Sequence, residues 1–302
     1  RSEGLAVDQI LEIEGIWGNG KTFKISRPSR KDFIKEHLEW KGLCGSAIFL
    51  AVITSLKMRI RDQEPLRILE AYVNPSLLAD IVKYAENCSI YSSIQWIWSE
   101  QIKIFSVYKI TNKEAQKDLE ELQKLLSSNP TTKIIDIRGL IDLPKLTLGM
   151  KKFDNVELFS EVLGLIGPSW NGSNHHIITI IEKLINERPH PFCSIASQQI
   201  GGIVNDTQPF KTSFIHRNSM WKPWITTTWF KNDERSKKLS LEWFLKAWNV
   251  LEPYCPGVHL AQLHHHLDLS SRESVAAFGD CLPSLEKLKS NLDPNGLLPS
   301  FL

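Results

Sequence analysis

The sequence predicts an α+β fold, in which strands and helices are mixed along the chain. Apolar residues follow the pattern of a buried strand in QIKIFSVYKIT (101–111), whereas KEAQKDLEELQKLLSS (113–128) repeats them at helical spacing. Such segments do not alternate in the strict strand–helix–strand rhythm of a parallel α/β sheet. With 302 residues, 42% of them apolar, the chain is long enough for one large domain or two ordinary ones.

A hairpin is predicted near the start of the chain, at residues 10–26, where the runs ILEIEGIW and KTFKI flank a GNG turn. Further strands are predicted at residues 49–60, 101–111, 131–138 and 223–230. Helices are predicted at residues 32–40, 113–128, 154–166, 174–187, 240–250 and 272–290. The last helix contains Gly279 and Pro283, which are expected to interrupt it.

Composition and charge argue against several function classes. The formal charge is +2, from 36 Lys and Arg against 34 Asp and Glu, so nothing electrostatic favours nucleic acid or a membrane surface. The sequence has no apolar run of the ~18–20 residues that a membrane span needs. Five widely spaced cysteines without a CxxC pair indicate reduced thiols and a cytoplasmic location. Secretion stays open, because the chain starts at Arg1 and a leader could have been removed.

Four stretches resemble, in order, the berberine-bridge-enzyme-like branch of the FAD-linked oxidases, in the vanillyl-alcohol-oxidase superfamily. The first is EGLAVDQILEIEGIWGNGKTF, which is similar to the family's hairpin YGLAxDNVLxxxVVxADG. The second is GLCGSAIFLAVITSLKMRI, where the family has RGGGGNFGIVTSLxFRL. The third is IGGIVNDTQPFKTSFIHRNSMW, which resembles a substrate-domain strand pair, GGxxxxxxxxxTAFxHRxxxY. The fourth is AAFGDCLPSLEKLKSNLDPNGLLPSFL, similar to YYGxNxxRLxxIKxxYDPxNxF.

This resemblance implies a domain organisation. Residues 1–64 would be a remnant of a PCMH-type FAD-binding domain, and residues 65–265 a substrate domain with an antiparallel sheet flanked by helices. Residues 266–302 would be the C-terminal segment that returns to the FAD domain. In the family, the phosphate-binding glycine loop and the covalent flavin positions precede the first stretch, so they are expected to lie outside these 302 residues.

The resemblance also implies a function. The chain would be a subunit or fragment of an FAD-dependent oxidoreductase, which oxidises a sugar, an alcohol or a secondary metabolite by hydride transfer to the flavin. A second chain, in a heterodimer or larger assembly, is expected to supply the N-terminal FAD-binding half and to share or mainly hold the FAD.

Departures from the family pattern leave another interpretation open, a non-catalytic structural subunit that stabilises an active flavoprotein partner. Where the family has a glycine run that lets backbone amides approach the cofactor, this chain reads GSAIFLA at 45–51. The side chains of Ile48, Phe49 and Leu50 are expected to crowd a flavin bound in the usual way. The Asn that helps to hold the flavin in the family is Cys281 here.

Catalytic and cofactor-binding candidates follow from the resemblance. Asp206 matches the position of a catalytic Glu or Gln on the sheet that covers the flavin in the family. It could take the substrate proton if apolar neighbours raised its pKa, or it could simply cap a turn in NDTQP. Gln262 lies near the position of a catalytic Tyr, where a Gln can orient a substrate or water. The expected cofactor contacts are Ala6, Val7, Val52, Ile53 and Cys281.

A substrate pocket is predicted along PWITTTWF (223–230), because alternate side chains of a strand share a face. Its candidates are Thr226 and Thr228 on this strand, together with His259; packing between sheet and helices is the alternative for each. The histidines at 259, 264, 265 and 266 fit no zinc spacing, so no metal is expected. The pair His216 and Arg217 is expected to be structural.

Overall fold

The structure of the protein is a computed structural model, which describes residues 1–29, 37–129, 131–145, 157–206, 212–260 and 262–301. The chain divides into two units. The small unit comprises Glu3–Arg61, Ile203–Asn218 and Leu263–Leu302. The large unit comprises Arg1–Ser2, Asp62–Gly202 and Ser219–Gln262. Each contains both helices and an antiparallel sheet, so the predicted α+β class is confirmed.

The small unit contains a three-stranded antiparallel sheet, in which β1 (Ile10–Trp17) lies between β2 (Thr22–Ser26) and β3 (Ala51–Met58). The pairing of β1 with β2 confirms the hairpin predicted at 10–26. The helices of this unit are α1 (Leu38–Ser46), the one-turn α5 (Ile203–Asp206), α7 (Ser270–Phe278) and α8 (Leu282–Leu292). The predicted interruption of the last helix is confirmed, since α7 ends at Phe278, Gly279 has a φ of +46°, and Pro283 lies in the first turn of α8.

A buried ion pair ties together distant parts of the small unit. The Arg217 guanidinium is 0% exposed, and its Nη1 donates to Asp8 Oδ2 at 2.8 Å. Its Nη2 donates to Thr212 Oγ1 at 2.9 Å, and the backbone N–H of Leu5 donates to the same Asp8 oxygen. His216 Nε2 donates to the Ala276 carbonyl at 2.8 Å. These contacts confirm the structural role expected for His216 and Arg217.

The large unit contains an eight-stranded antiparallel sheet in the order β11-β8-β10-β9-β5-β6-β4-β7. Its strands are β4 (Leu66–Val73), β5 (Ser92–Trp98), β6 (Ile102–Lys109), β7 (Lys133–Ile137), β8 (Leu158–Ile166), β9 (Ser194–Gln199), β10 (Trp221–Phe230) and β11 (Gly257–His259). The helices are α2 (Pro75–Ala85), α3 (Lys113–Leu125), α4 (Asn174–Asn186) and α6 (Glu234–Leu251). Their mutual contacts make them one layer against the sheet.

The sheet of the large unit has two different faces because side chains alternate along each strand. In β10, Thr227 donates its hydroxyl to the Ser240 carbonyl of α6 at 2.9 Å, so Thr227 and Ile225 face the helix layer. The alternate residues Lys222, Trp224 and Thr226 therefore point to the other side, which we call the open face. The side chains of these three residues are half-buried.

Most predicted elements are confirmed, with ends shifted by a few residues: the strands at 51–58, 102–109, 133–137 and 221–230, and the helices at 113–125, 174–186 and 234–251. The helix predicted at 154–166 is wrong, because Leu158–Ile166 is β8 and pairs with both β10 and β11. An apolar run buried in the middle of a sheet lacks strict alternation, and its spacing can therefore match a helix.

Two other sequence expectations need comment. The strand pair inferred for residues 200–221 is not found in the described parts of that stretch, which hold α5 at Ile203–Asp206 and a loop at 212–220 before β10 begins at Trp221. The helix predicted at 32–40 lies mostly outside the described residues, and α1 is described from Leu38.

The buried pair of the small unit gives a stability prediction. Asp8→Asn leaves the Arg217 charge buried without its partner, so the free energy of unfolding should fall by about 3–5 kcal/mol. Urea unfolding followed by circular dichroism measures this change. In the double variant Asp8→Asn/Arg217→Met, part of the loss should be recovered, because the unpaired buried charge is gone.

A matched control is the exposed bidentate pair of Arg67 and Asp136, with N–O distances of 2.6 and 2.7 Å. Asp136→Asn should cost no more than about 1 kcal/mol, because solvent screens both groups. If Asp8→Asn costs no more than this control, the buried pair does not hold the small unit together.

Candidate functional site

Strand register brings His259, Gly164 and Trp224 side by side on the open face. His259 of β11 is the partner of Gly164 in β8, and Gly164 is the partner of Trp224 in β10. Gly164 has no side chain, so the two rings face each other across it, with centroids 5.8 Å apart and planes at 64°. A Cβ atom at Gly164 would lie 3.4 Å from the Cβ of His259, in van der Waals contact. A methyl side chain at position 164 would therefore also fit beside the imidazole.

A lysine completes this cluster. Lys222 lies two residues before Trp224 on the same face, and its Nζ is 4.2 Å from the centroid of the Trp224 ring, a cation–π contact. Burial lowers the pKa of Lys222 to about 8. Within the described parts of the chain, no carboxylate lies within salt-bridge distance of its ammonium group. We call Lys222, Trp224 and His259 the open-face cluster.

His259 is the group in this cluster that can exchange a proton. Burial, and secondly the charge of Lys222, lower the pKa of His259 to about 4. The imidazole is therefore uncharged at neutral pH. Its Nδ1 is buried and makes no hydrogen bond to any described residue. A neutral imidazole with an unused nitrogen can accept a proton or a hydrogen bond from a bound molecule.

The two predicted pocket threonines differ in their surroundings. Thr226 is half-buried on the open face, two residues after Trp224, and can join the open-face cluster in lining a site. Thr228 is buried, and its backbone N–H donates to Cys193 Sγ at 3.4 Å. For Thr228 the packing alternative is therefore the better description.

Gln262 has a positioning role in the structure. Its Oε1 accepts a hydrogen bond from the backbone N–H of Val162 at 3.1 Å, and its Nε2 donates to the Glu161 carboxylate. The carboxamide therefore fastens the segment after β11 to β8. Because both ends of the amide are engaged, Gln262 supports the strand that carries His259 and does not point free polar atoms at a ligand.

Asp206 belongs to the small unit, whereas the open-face cluster belongs to the large unit. It ends the one-turn helix α5 in the small unit, and its side chain is exposed. The catalytic interpretation depended on burial among apolar neighbours, which the structure does not provide, and on a place in the sheet, which Asp206 does not have. The structure therefore places Asp206 and Gln262 in different units.

The expected cofactor contacts, Ala6, Val7, Val52, Ile53 and Cys281, all belong to the small unit. Val52 and Ile53 are neighbours in β3, so their side chains point to opposite sides of the strand. They cannot both face one ligand from the same surface.

The segment at 45–51, where the family has its glycine run, packs against other parts of this chain. Gly45 has a φ of +141°, and a Cβ there would meet Ser213 Oγ at 2.6 Å, so the chain itself fills that space. Phe49 stacks on Phe301 with centroids 4.2 Å apart, and Leu50 is 0% exposed. The expectation that Ile48, Phe49 and Leu50 all crowd a flavin is therefore wrong for Phe49 and Leu50, which face the interior. The described residues of the small unit do not form a flavin cradle by themselves.

Neither a membrane nor a metal site is evident in the described ranges. There, no helix combines the length and apolar character needed to cross a membrane. Among the same side chains, no group of three or more His, Cys, Asp or Glu is arranged to hold a metal ion. All five cysteines are free thiols.

Comparison with solved structures identifies the fold. BBE-like 1 from Physcomitrella patens matches 98% of this chain with a TM-score of 0.76 and 16% identity, over 65% of its own length. A chitooligosaccharide oxidase matches with a TM-score of 0.73 and 14% identity, over 98% of this chain and 66% of its own. A glycopeptide hexose oxidase, in complex with teicoplanin, matches with a TM-score of 0.74 and 16% identity, over 98% of this chain and 69% of its own. No protein-family model and no curated protein matches the sequence.

The chain therefore has the α+β fold of berberine-bridge-enzyme-like oxidases. It spans about 65% of the length of the plant structure, in agreement with the C-terminal portion that the four sequence stretches predicted. The resemblance inferred from those stretches is confirmed at the level of the fold.

The effect of the Lys222 charge on the pKa of His259 can be tested by titration. In Lys222→Met, the pKa of His259 should rise above about 4, because one cause of its depression is removed, but it should stay below 6.5, because burial remains. NMR titration of the imidazole Cε1–H signal measures it. Lys231→Met removes a charge just after β10, where Lys231 pairs with Glu157, and should leave His259 unchanged. Equal shifts in both variants would contradict the cluster geometry.

Proposed function

We propose that this chain is a component of an FAD-dependent oxidoreductase, which oxidises a small organic molecule such as a sugar, an alcohol or a secondary metabolite by hydride transfer to the flavin. The observation that carries this proposal is the open-face cluster, which places a neutral histidine, an indole wall and a cation together on a fold shared with solved oxidases.

His259 is the proposed base. Removing a proton from a substrate hydroxyl requires an uncharged acceptor within reach, and the unpaired Nδ1 of a neutral imidazole meets that need. A basicity closer to neutral pH would serve better, and any bound group that offsets the charge of Lys222 would raise the pKa of His259 in that direction. Trp224 supplies a flat apolar wall that orients the substrate.

Lys222 is the proposed electrostatic element. Its ammonium group is half-buried and fixed over the Trp224 ring, so it is already oriented before a substrate binds. A preoriented cation in a partly dry site attracts a negatively charged group of the molecule that binds beside Trp224 and fixes its orientation.

The FAD would be held mainly by protein outside the described residues. The described residues of the small unit leave no space for a flavin beside Gly45, since Ser213 fills that space and the side chains of Phe49 and Leu50 face inward. Ala6, Val7, Val52, Ile53 and Cys281 are left as flanking contacts at most. Because the chain spans about 65% of the length of BBE-like 1, activity of the whole enzyme requires further protein.

The small unit has a surface suited to such further protein. β3 pairs only with β1 among the described strands, so its other edge offers unpaired backbone groups. Val52 is 57% exposed and Leu56 48%, although Leu56 is the partner of Ile13, whose side chain is buried. Val52 is the partner of Ile16, so Val52 and Leu56 lie on opposite faces of the sheet, and exposed apolar side chains flank the free edge on both faces. A second chain that adds a strand here, in a heterodimer or larger assembly, would cover that edge.

The alternative is a non-catalytic subunit that stabilises an active flavoprotein partner. The loss of the glycine run favours it, because the two glycines that remain near α1 are packed against the chain's own side chains. In this case the surface along β3 would still bind the partner, but the open-face cluster would have no part in turnover.

An assay of the native complex distinguishes the two functions. We expect the chain to purify with a second chain and bound flavin, and His259→Ala to lower kcat about a hundredfold or more while flavin absorption is retained. The flavin spectrum separates loss of a base from loss of cofactor. Asp206→Ala in the same complex is the comparison, because Asp206 is the rival candidate base.

Three results would contradict parts of this proposal. A well-folded monomer without a partner would exclude the two-chain assembly. A larger loss in Asp206→Ala than in His259→Ala would assign the base to Asp206. Full activity in both variants would favour the structural subunit.

A further inference from the structure

We infer that the open-face cluster binds a small organic carboxylate, whose charge pairs with Lys222 while its carbon skeleton lies against Trp224 and His259. As a statement about the substrate, this rests on the proposed function, but as a statement about binding it stands on the geometry alone. The argument starts from the partners of buried cations in this protein.

Several other cations that are buried or half-buried in the described chain have oxygen partners within their own unit. Arg1 and Arg188 donate to backbone carbonyls, and three others pair with carboxylates. Lys103, on the same face of the same sheet, is 9% exposed and lies 3.3 Å from Glu70. In the small unit, Arg217 pairs with Asp8 at 2.8 Å and Lys289 with Asp293 at 2.7 Å. This pattern follows from the cost of removing a charge from water without compensation.

Lys222 departs from this pattern. It is half-buried, and its described contact is the face of Trp224. A cation–π contact recovers only part of the lost hydration. The position therefore has a cation that is oriented and partly dehydrated but not neutralised, which is the condition under which a ligand anion gains most from binding.

The nearest cross-strand neighbours of Lys222 have amide groups, which can donate hydrogen bonds, and no carboxylate. Its partner in β9 is Gln198, which is exposed, and Gln198 is the partner of Gln95 in β5. The row continues through Phe105 to Glu70, whose carboxylate is already paired with Lys103. Amide groups next to an ammonium group can donate to the second oxygen of a carboxylate.

The donor set favours a carboxylate over a phosphate. Phosphate sites generally use several cations, a helix N-terminus or a glycine-rich loop. The open-face cluster offers one ammonium group with neutral amides beside it, which matches a single negative charge. The indole and imidazole rings offer flat surfaces to an aromatic or pyranose ring attached to that carboxylate.

Carboxylate binding would also improve the proposed base. The charge of Lys222 is one of the two causes that lower the pKa of His259. A carboxylate paired with Lys222 offsets that charge, so His259 becomes more basic when the acid is bound than when the site is empty. An uncharged substrate would not have this effect.

Isothermal titration calorimetry with matched probes tests the inference on the purified protein. The aromatic pair is 4-(hydroxymethyl)benzoate and its uncharged amide, 4-(hydroxymethyl)benzamide; the sugar pair is galacturonate and galactose. We expect the acid of at least one pair to bind about tenfold or more tightly than its neutral counterpart, as expected for one charge-assisted contact.

Three variants assign that preference to Lys222. Lys222→Met should abolish the preference, so that acid and neutral probe bind with equal affinity, and Lys222→Arg should keep most of it. Lys231→Met is the control, because it also removes one positive charge, from a side chain that is paired with Glu157. Circular dichroism checks that each variant is folded.

The outcomes separate this inference from the proposed function. Equal affinity for acid and neutral probe, no measurable binding of either acid, tighter binding of inorganic phosphate, or a preference that survives in Lys222→Met would overturn it. Since binding needs neither flavin nor turnover, an acid that binds but is not oxidised by the complex counts against the oxidoreductase and leaves the binding site standing. If the complex oxidises neutral substrates and shows no preference for acids, the oxidoreductase is supported and the carboxylate site is contradicted.

Discussion

The candidate site depends on the register of β10, which pairs with β8 on one side and with β9 on the other. Side chains of a strand alternate with a period of two, so a slip of one residue would turn Lys222 and Trp224 toward the helices. Packing on the helix side opposes that slip, since Ile225 is fully buried and Thr227 is bonded to α6. The buried face of β10 thus fixes what its open face presents.

Once the register is fixed, a few individual residues determine which groups the open face presents. His259 and Trp224 are the partners of Gly164 on its two sides, so their rings meet across it, and Gln262 fastens the chain just after His259. A half-buried lysine without an acid partner costs stability, and natural proteins commonly accept such costs at functional sites. The small unit shows the opposite arrangement, in which Arg217 is neutralised by Asp8 and has a structural role.

Much of the fold could be predicted from sequence because its local signals are strong. The hairpin at 10–26 has a turn between two strand-like runs, and the helix at Lys113–Leu125 has clear apolar spacing. β9 was not predicted, since SIASQQ is mostly polar, nor was the three-residue β11. β8 was taken for a helix because strand burial on both faces removes the period of two.

The site was only partly predictable. His259 and Thr226 were identified from their types and positions, but Lys222 and Trp224 were missed, because cross-strand neighbours far apart in sequence leave no local pattern. A usable signal was present, namely a single lysine inside the otherwise uncharged run WKPWITTTWF. Asp206 was chosen by counting back from His216, which assumed strands where the chain forms a short helix and loop.

The contact between the His259 and Trp224 rings tests the central claim most directly, because it exists only in the described register. NMR spectra of the protein with labelled histidine and tryptophan should show a nuclear Overhauser cross-peak between the His259 imidazole and the Trp224 indole. Trp224→Leu should remove that cross-peak and shift the His259 signals. A folded protein without the cross-peak, in which Trp224→Leu leaves the His259 signals unmoved, would contradict the register and the site built on it.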